Sequence, residues 1–190
     1  SVTPVATIAE LAGGFGGVVV VDEAYVDFAP AGSTAVPLLA SHDNVIVLRT
    51  FSKIHGLAGL RIGYAIAPAA LAERLASLSL TWPNTTGLAA AIASFNDREF
   101  LRTTRAALVG DRTRVHAALD RMGLQRSEAM GNFVFFDTGA PLKRFQDRML
   151  AEGIKVGRRF DGYDNWARVT IGVQREVDRF LDALPRALGA

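Results

Sequence analysis

The sequence predicts an α/β fold in which helices cover a largely parallel sheet. Three apolar runs, at residues 18–21, 45–48 and 61–67, are predicted strands, and segments with helical spacing separate or follow them. The first two runs lack the polar alternation of half-exposed strands, which is typical of strands buried on both faces. The spacing of strand, helix and strand then favours a layered α/β sheet.

The first half of the chain contains four predicted helices and one glycine cluster. Pro4 suits the first turn of a helix, and the cluster Gly13 to Gly17 is predicted to end that helix in a turn. The cluster precedes a strand instead of opening a helix, so it does not have the arrangement of a nucleotide-binding loop. The predicted helices are Val5 to Leu11, Leu38 to Ala40, Ala69 to Leu80 and Leu88 to Phe95.

The second half has the character of a smaller α/β unit, joined to the first through a long amphipathic helix. That helix is predicted over Arg98 to Met122, where charged residues alternate with apolar ones at helical spacing. The predicted strands are Phe133 to Phe136, Ile154 to Val156 and Trp166 to Ile171, and the predicted helices are Leu142 to Glu152 and Arg175 to Leu188.

The composition is that of a globular protein and narrows the classes of partner. The 190 residues include 21 basic and 19 acidic side chains, spread along the chain, so no basic patch for nucleic acid is expected. There is no cysteine and there are three scattered histidines, which disfavours disulfides and metal sites. No apolar run approaches membrane-spanning length, and a cytoplasmic enzyme is the expectation.

Three polar residues at two predicted strand ends suggest a carbonyl cofactor. Asp22 and Tyr25 follow the first strand, and Lys53 follows the second. Ligands of open α/β sheets bind at the carboxyl ends of the strands. A pyridine-ring cofactor needs a carboxylate for its ring nitrogen, a hydrogen-bond donor for its phenolic oxygen and a lysine that forms a Schiff base with its aldehyde. On position alone, a loop or capping role for Asp22 is an equal alternative.

The segment around the lysine also has the groups that a phosphate requires. Thr50 and Ser52 supply hydroxyls, and Arg61 follows the lysine by eight residues within a glycine-punctuated loop. Hydroxyls and a guanidinium are common phosphate ligands.

These segments resemble the fold-type I pyridoxal-phosphate aminotransferases, and most closely the histidinol-phosphate aminotransferase branch. The resemblance covers nearly the whole chain, with the motifs in the family's order. It rests on Val20-Val21-Asp22-Glu23-Ala24-Tyr25, Arg49-Thr50-Phe51-Ser52-Lys53, Gly56-Leu57-Ala58-Gly59-Leu60-Arg61-Ile62-Gly63-Tyr64, Gly131-Asn132-Phe133-Val134-Phe135-Phe136 and Trp166-Ala167-Arg168-Val169-Thr170-Ile171-Gly172.

The resemblance implies a role for each candidate residue. Lys53 holds the aldehyde of pyridoxal 5'-phosphate and moves the α-proton, Asp22 pairs with the ring nitrogen, and Tyr25 binds the phenolic oxygen. The residues implied to bind the cofactor phosphate are Thr50, Ser52 and Arg61.

The resemblance also implies a substrate site in the second half. Arg168 matches the arginine that clamps the substrate carboxylate. Asn132 is either a further substrate contact or a strand-edge asparagine that satisfies backbone groups, and the two alternatives stay open. Arg158 corresponds to an arginine that can meet a substrate phosphate, although Gly157 looks inserted and Arg159 stands where the family often has proline. The register of Arg158 and Arg159 is therefore open.

The family's organisation implies that residues 1–96 are part of the large cofactor domain and that residues 97–190 are the connecting helix and the small domain. Family elements that precede the matched region have no counterpart in this sequence, so the chain is expected to be an incomplete part of a homodimeric enzyme.

The expected reaction is amino transfer between histidinol phosphate, or a related and possibly aromatic amino acid, and 2-oxoglutarate. Two alternatives stay open from the sequence. One is an amino-acid phosphate decarboxylase of the same fold, and the other is a non-catalytic, ligand-sensing module. The second predicts decay of the catalytic set, yet Asp22, Lys53, Arg61 and Arg168 are all present.

Overall fold

The protein forms two compact units in a computed structural model, which describes residues 2–79 and 82–189. The N-terminal unit comprises residues 2–104, and the C-terminal unit begins at residue 105. The division falls within one long helix, α4 (Arg98–Arg121).

A three-stranded sheet organises the N-terminal unit. Its strands are β1 (Val19–Asp22), β2 (Val45–Thr50) and β3 (Gly63–Ile66), in the order β1-β2-β3. β1 and β2 are parallel, with Asp22 opposite Leu48, whereas β2 and β3 are antiparallel. The predicted strands are confirmed with small shifts in their ends. The expectation that the first strand is buried on both faces is wrong, because Val20 is 56% exposed and only the face with Val19 packs into the core. The parallel pairing of β1 with β2 needs the long crossover that residues 23–44 provide.

The helices of this unit differ from the prediction mainly at their ends. α1 (Val5–Gly14) continues through the first two glycines of the cluster that was predicted to break it, and the extended Phe15 follows it as the C-cap. The predicted helix at residues 38–40 is a 3₁₀ segment, Val36–Ala40. α2 (Ala69–Ser77) is shorter than predicted, and Leu80 lies outside the described residues. The remaining helix is α3 (Thr85–Asn96).

Two apolar clusters hold the sheet in place. The larger packs α1 against β1 and β2 through Ile8, Val19, Val45 and Val47, among others. The smaller packs Phe51 and Ile62, which flank the lysine loop, against Ala91 of α3.

Close packing at two glycines fixes the loop between β2 and β3. A Cβ at Gly63 would lie 2.8 Å from the Arg49 carbonyl oxygen, and a Cβ at Gly87 would lie 2.6 Å from the Ile62 side chain. A side chain at Gly63 would have to displace the Arg49 backbone, and one at Gly87 would have to displace the buried Ile62 side chain.

The C-terminal unit has a two-stranded antiparallel sheet with helices on its buried face. Val134, Phe136, Ala167 and Val169 point into a core that they share with the helices. None of the helices in the described parts of the chain is long and apolar enough to cross a membrane. Besides α4, the elements are β4 (Phe133–Asp137), α5 (Leu142–Ala151), β5 (Trp166–Thr170) and α6 (Gln174–Leu188).

The strand predicted over Ile154 to Val156 is wrong. The segment is apolar and partly buried, but it forms no strand in the structure. Next to it, the Gly157 N–H donates to the Arg168 carbonyl at 3.0 Å. One such bond beside the segment is too little to make a ladder, so burial alone accounts for its apolar character.

A buried arginine ties α4 to the chain entering β4. Arg112 is 7% exposed, and its Nη1 donates to the carbonyls of Met130 at 2.6 Å and Gly131 at 2.8 Å. Burial and the nearby Arg105 lower the pKa of Arg112. The guanidinium therefore satisfies two backbone acceptors that would otherwise be left without a partner.

We expect Arg112→Met to destabilise the C-terminal unit by about 2–4 kcal/mol, because it leaves two carbonyls unpaired. Chemical denaturation measures the change. Arg121→Met, at the exposed end of the same helix, serves as the control and should change stability by less than about 0.5 kcal/mol. Equal effects of the two substitutions would contradict a structural role for Arg112.

The lowered pKa of His116 predicts that the stability of the C-terminal unit depends on pH. Burial, followed by the charges of Arg126 and Arg112, lowers the pKa of His116, with Glu128 and Asp120 opposing the shift. The unfolded chain therefore binds the proton more readily, and stability should be full above a pH of about 6.5 and decrease below it. We expect His116→Gln to reduce the loss of stability between pH 7.5 and pH 5.5 in denaturant titrations. An unchanged loss would rule His116 out as its source.

Candidate functional site

The strand arrangement brings three chain segments to one edge of the N-terminal sheet. Because β1 and β2 are parallel, their last residues, Asp22 and Thr50, lie at the same edge of the sheet. β3 runs in the opposite direction and begins there, with Thr50 opposite Gly63 and Arg61 just before it. The cofactor residues predicted from the sequence thus lie in three segments that meet at this edge.

Asp22 and Tyr25 lie in the turn that follows β1. The Asp22 carboxylate is exposed and accepts a hydrogen bond from the Ala24 N–H at 3.0 Å. Tyr25 precedes a short 3₁₀ segment, and the Lys53 Nζ lies 5.0 Å from the centroid of its ring. The amine and the phenol predicted to act together are therefore neighbours.

Lys53 lies in a tight, well-anchored turn. Its carbonyl accepts the Gly56 N–H at 2.9 Å, and the Leu57 N–H donates to Phe51 at 3.0 Å. His55 forms a 2.8 Å hydrogen bond with Ser94 of α3, and burial lowers its pKa. The loop beside the lysine is held from the sheet and from α3.

Thr50, Ser52 and Arg61 have different surroundings. The Thr50 hydroxyl accepts the Ser52 N–H at 3.0 Å and donates to the Ile62 carbonyl at 3.5 Å, so it faces the loop backbone. Arg61 is exposed, adopts a left-handed conformation with φ of 55°, and donates from Nη1 to Ala58 at 2.8 Å. The left-handed conformation costs a non-glycine residue about 1–2 kcal/mol of conformational free energy. Residues strained in this way are common in functional loops.

Two charged residues beside the site were not assigned a role from the sequence. Glu23 is 6% exposed and forms an ion pair with Arg49, whose Nη2 lies 2.9 Å from Oε2. Burial opposes the charge of Arg49, but hydrogen bonds with Tyr64 and Glu23 outweigh it and raise the pKa of the guanidinium. Opposite charges at the ends of two neighbouring predicted strands were a sequence signal for pairing, but the sequence gives no signal that the pair is buried.

The predicted substrate residues lie in the C-terminal unit, and one of them, Arg168, is in β5 on the face of the sheet away from the core. Arg168 is opposite Phe135 in the β4–β5 ladder. Its guanidinium carbon lies 4.2 Å from the Phe133 ring centroid and 5.9 Å from that of Phe160. Asn132 precedes β4, is half-buried, and accepts the Ile171 N–H at its carbonyl at 2.8 Å.

Arg158 and Arg159 point to different partners. The Arg158 guanidinium lies 4.5 Å from the centroid of Phe160, the ring that Arg168 also approaches. Arg159 instead pairs with Asp164 at 3.2 Å and with Asp161 at 3.7 Å. Two guanidinium groups, those of Arg158 and Arg168, therefore share one aromatic ring.

An aromatic cluster adjoins these arginines. The Phe135 ring centroid lies 4.9 Å from Trp166, 5.1 Å from Tyr163 and 5.8 Å from Phe160. Within the described residues there is no group of three histidine, cysteine or acidic side chains that could hold a metal ion. The chemistry of this face is that of aromatic rings and cations.

The chain is similar to known proteins along most of its length. The family model for aminotransferase class I and II matches residues 2–184. The chain is 39% identical over 175 residues to histidinol-phosphate aminotransferase 2 of Methylococcus capsulatus, which covers 90% of this chain and 47% of that protein. It is 38% identical over 165 residues to an aromatic amino acid aminotransferase of Rhodococcus opacus, covering 86% of this chain and 45% of that protein.

A solved structure shares the fold. The histidinol-phosphate aminotransferase of Sinorhizobium meliloti, in complex with pyridoxal-5'-phosphate, has a TM-score of 0.87 and 28% identity over 99% of this chain and 54% of its own. The chain spans about half the length of the relatives it matches. From the match over residues 2–184, the chain belongs to the aminotransferase class I and II family.

Proposed function

We propose that this chain carries the lysine-bearing part of a pyridoxal-phosphate-dependent aminotransferase. The observation that carries the proposal is the position of the Lys53 amine, 5.0 Å from the Tyr25 ring at the sheet edge where Asp22 also lies. The relative from Sinorhizobium meliloti is in complex with pyridoxal-5'-phosphate, which supports the same cofactor here.

The donor set at this edge fits the cofactor. It consists of one amine, one carboxylate, one phenol, two hydroxyls and one guanidinium, contributed by Lys53, Asp22, Tyr25, Thr50, Ser52 and Arg61. Bound pyridoxal phosphate supplies an aldehyde that bonds to amines and a pyridinium ring that withdraws electrons from the α-carbon. The exposed Asp22 carboxylate would keep the ring nitrogen protonated, and Ser52 and Arg61 would hold the phosphate.

Lys53 has two tasks in this proposal. Its Nζ would hold the cofactor through the aldehyde, and as a free amine it would take the proton from the substrate α-carbon and later give it back. The anchored turn around Lys53 limits where that amine can reach. Tyr25 would orient the phenolic oxygen through its hydroxyl.

Substrate recognition is proposed for the exposed face of the C-terminal sheet. Arg168 would bind the acidic group next to the reacting carbon, since a guanidinium holds two acceptor oxygens in a fixed orientation. Arg158, over the same Phe160 ring, would meet a second anionic group such as a phosphate. Asn132 would be a further polar contact.

We propose histidinol phosphate or an aromatic amino acid as amino donor and 2-oxoglutarate as acceptor. Relatives named for the two donors are 39% and 38% identical to this chain. The aromatic cluster around Phe135 suits either an imidazole or a phenyl ring.

The proposed organisation has residues 1–96 as part of the cofactor domain and residues 97–190 as the connecting helix and small domain. The active form is proposed to be a homodimer. In support, three side chains at helical spacing on α3 are exposed and apolar, as a surface for a second copy would be: Leu88, Ile92 and Phe95.

We expect the protein to give a visible absorption band with pyridoxal phosphate that borohydride removes, and Lys53→Ala to abolish it. The reason is that only a primary amine can bond the aldehyde in a reducible way. Absorption spectra before and after reduction measure it. Lys143→Ala is the matched control, because Lys143 is an exposed lysine paired with Asp147.

The spectra are recorded for the chain alone and for the chain joined to the other half of a family member. A reducible band that persists in Lys53→Ala, in either form, would contradict the assignment of Lys53. Its loss in Lys143→Ala would assign the band to Lys143 instead. No band in both forms would overturn the proposed cofactor.

The two neighbouring arginines provide a test of substrate choice. We expect Arg158→Met to lower kcat/KM for histidinol phosphate about tenfold or more and to change kcat/KM for phenylalanine less than threefold, since only the first has a phosphate to lose. Arg159→Met is the control and should affect both alike, because its partners are Asp161 and Asp164. Both effects are measured by steady-state kinetics on the chain joined to the other half of a family member. If Arg159→Met, and not Arg158→Met, lowered kcat/KM selectively for histidinol phosphate, the phosphate contact would be assigned to Arg159.

A further inference from the structure

We propose that the buried Glu23–Arg49 ion pair is a positioning link that fixes Asp22 and Tyr25 relative to Lys53; the inference rests on the proposed function. Neither residue is placed against the cofactor itself. Each is joined along the chain to residues that are, Glu23 between Asp22 and Tyr25, and Arg49 four residues before Lys53.

The Glu23 end of the link is almost fully enclosed and fully hydrogen-bonded. Its carboxylate accepts the Ala35 N–H at Oε1, 2.6 Å away, and the Thr34 hydroxyl at Oε2, 2.9 Å away. Its own backbone N–H donates to the Leu48 carbonyl at 2.9 Å, which extends the β1–β2 pairing by one bond. The residue after Asp22 is therefore held from two sides.

The Arg49 end gives the link a fixed direction. Both Nε, at 3.1 Å, and Nη2, at 2.9 Å, donate to the same Glu23 oxygen. Nη2 also donates to the Thr34 hydroxyl at 3.0 Å. Two donors from a planar group leave it little freedom to rotate, and Arg49 is paired with Tyr64 across the sheet.

The pair suits orientation better than stability. Burying two charges costs desolvation that their attraction only partly returns, and apolar residues can often replace such a pair without loss of stability. The Asp22 carboxylate is exposed and accepts a hydrogen bond from the neighbouring Ala24 N–H. Beyond the backbone pairing of β1 with β2, the side chain of Glu23 ties the turn after Asp22 to the strand that leads to Lys53.

The test compares the unsubstituted protein with Glu23→Gln, Arg49→Met and the double variant, in the form that binds pyridoxal phosphate. Two quantities are measured by absorption: the dissociation constant for pyridoxal phosphate and the pH midpoint of the visible band. We expect each single variant to bind about tenfold more weakly or worse and to shift the midpoint by about half a pH unit or more. The double variant should be no worse than either single one, because the two side chains act as a unit.

Asn44→Ala is the matched control for loss of stability alone. The Asn44 amide donates to the carbonyls of Ala12 at 2.9 Å, Gly17 at 3.0 Å and Phe15 at 3.1 Å, at the opposite end of β2 from Lys53. It should lower the melting temperature while leaving the midpoint unchanged and the dissociation constant within about twofold. Arg49→Lys, which keeps the charge without the planar fork, should lie between the unsubstituted protein and Arg49→Met.

The outcomes separate the two proposals. If the Glu23 and Arg49 variants that fold bind the cofactor with the unsubstituted midpoint, or shift it no more than Asn44→Ala does at equal loss of melting temperature, the positioning role is overturned and the proposed function stands. If the unsubstituted protein gives no band in either form, the proposed function fails first.

Discussion

The parallel pairing of β1 with β2 is the constraint on which the candidate cofactor site depends. It places the carboxyl ends of both strands at one edge, so that two turns distant in sequence, after Asp22 and after Thr50, become neighbours. The antiparallel β3 then returns Arg61 to the same edge. A one-residue slip of β1 would turn Asp22 to the other face of the sheet, and the buried Val19 opposes such a slip because it would lose its place in the core.

Around this edge, the loops are held by contacts that are not themselves suited to catalysis. Phe51 and Ile62 anchor the lysine loop in an apolar cluster, while Gly63 and Gly87 allow backbones to approach more closely than any side chain would permit. Glu23 and Arg49 add a charged contact that costs desolvation free energy. Its proposed effect is to fix the orientation of the turn after β1 relative to β2. Asp22 and Arg61 are exposed while the backbone beneath them is fixed, as a pre-organised site would require.

The C-terminal unit uses one sheet for two purposes. Its inner face carries Val134, Phe136, Ala167 and Val169 into the core, and its outer face carries Arg168 among aromatic rings. Aromatic faces attract guanidinium groups and partly shield them from water, which strengthens their attraction for anions. The alternation of a β-strand thus separates the residues that pack the core from those proposed to recognise the substrate.

The sequence by itself determined the family, the strands of the sheet that carries the candidate cofactor residues, and which residues carry the candidate chemistry, because these depend on local pattern and on residue type. Hydrophobic runs marked β1, β2 and β4, and the spacing of Asp22, Lys53 and Arg61 matched one superfamily. Only the tertiary structure decided features that depend on partners distant in the chain. It showed that β3 is antiparallel, that residues 154–156 form no strand, and that Phe160 is shared by Arg158 and Arg168. It also revealed the Glu23–Arg49 pair, since the burial of a charge is set by the packing around it and not by its neighbours in sequence.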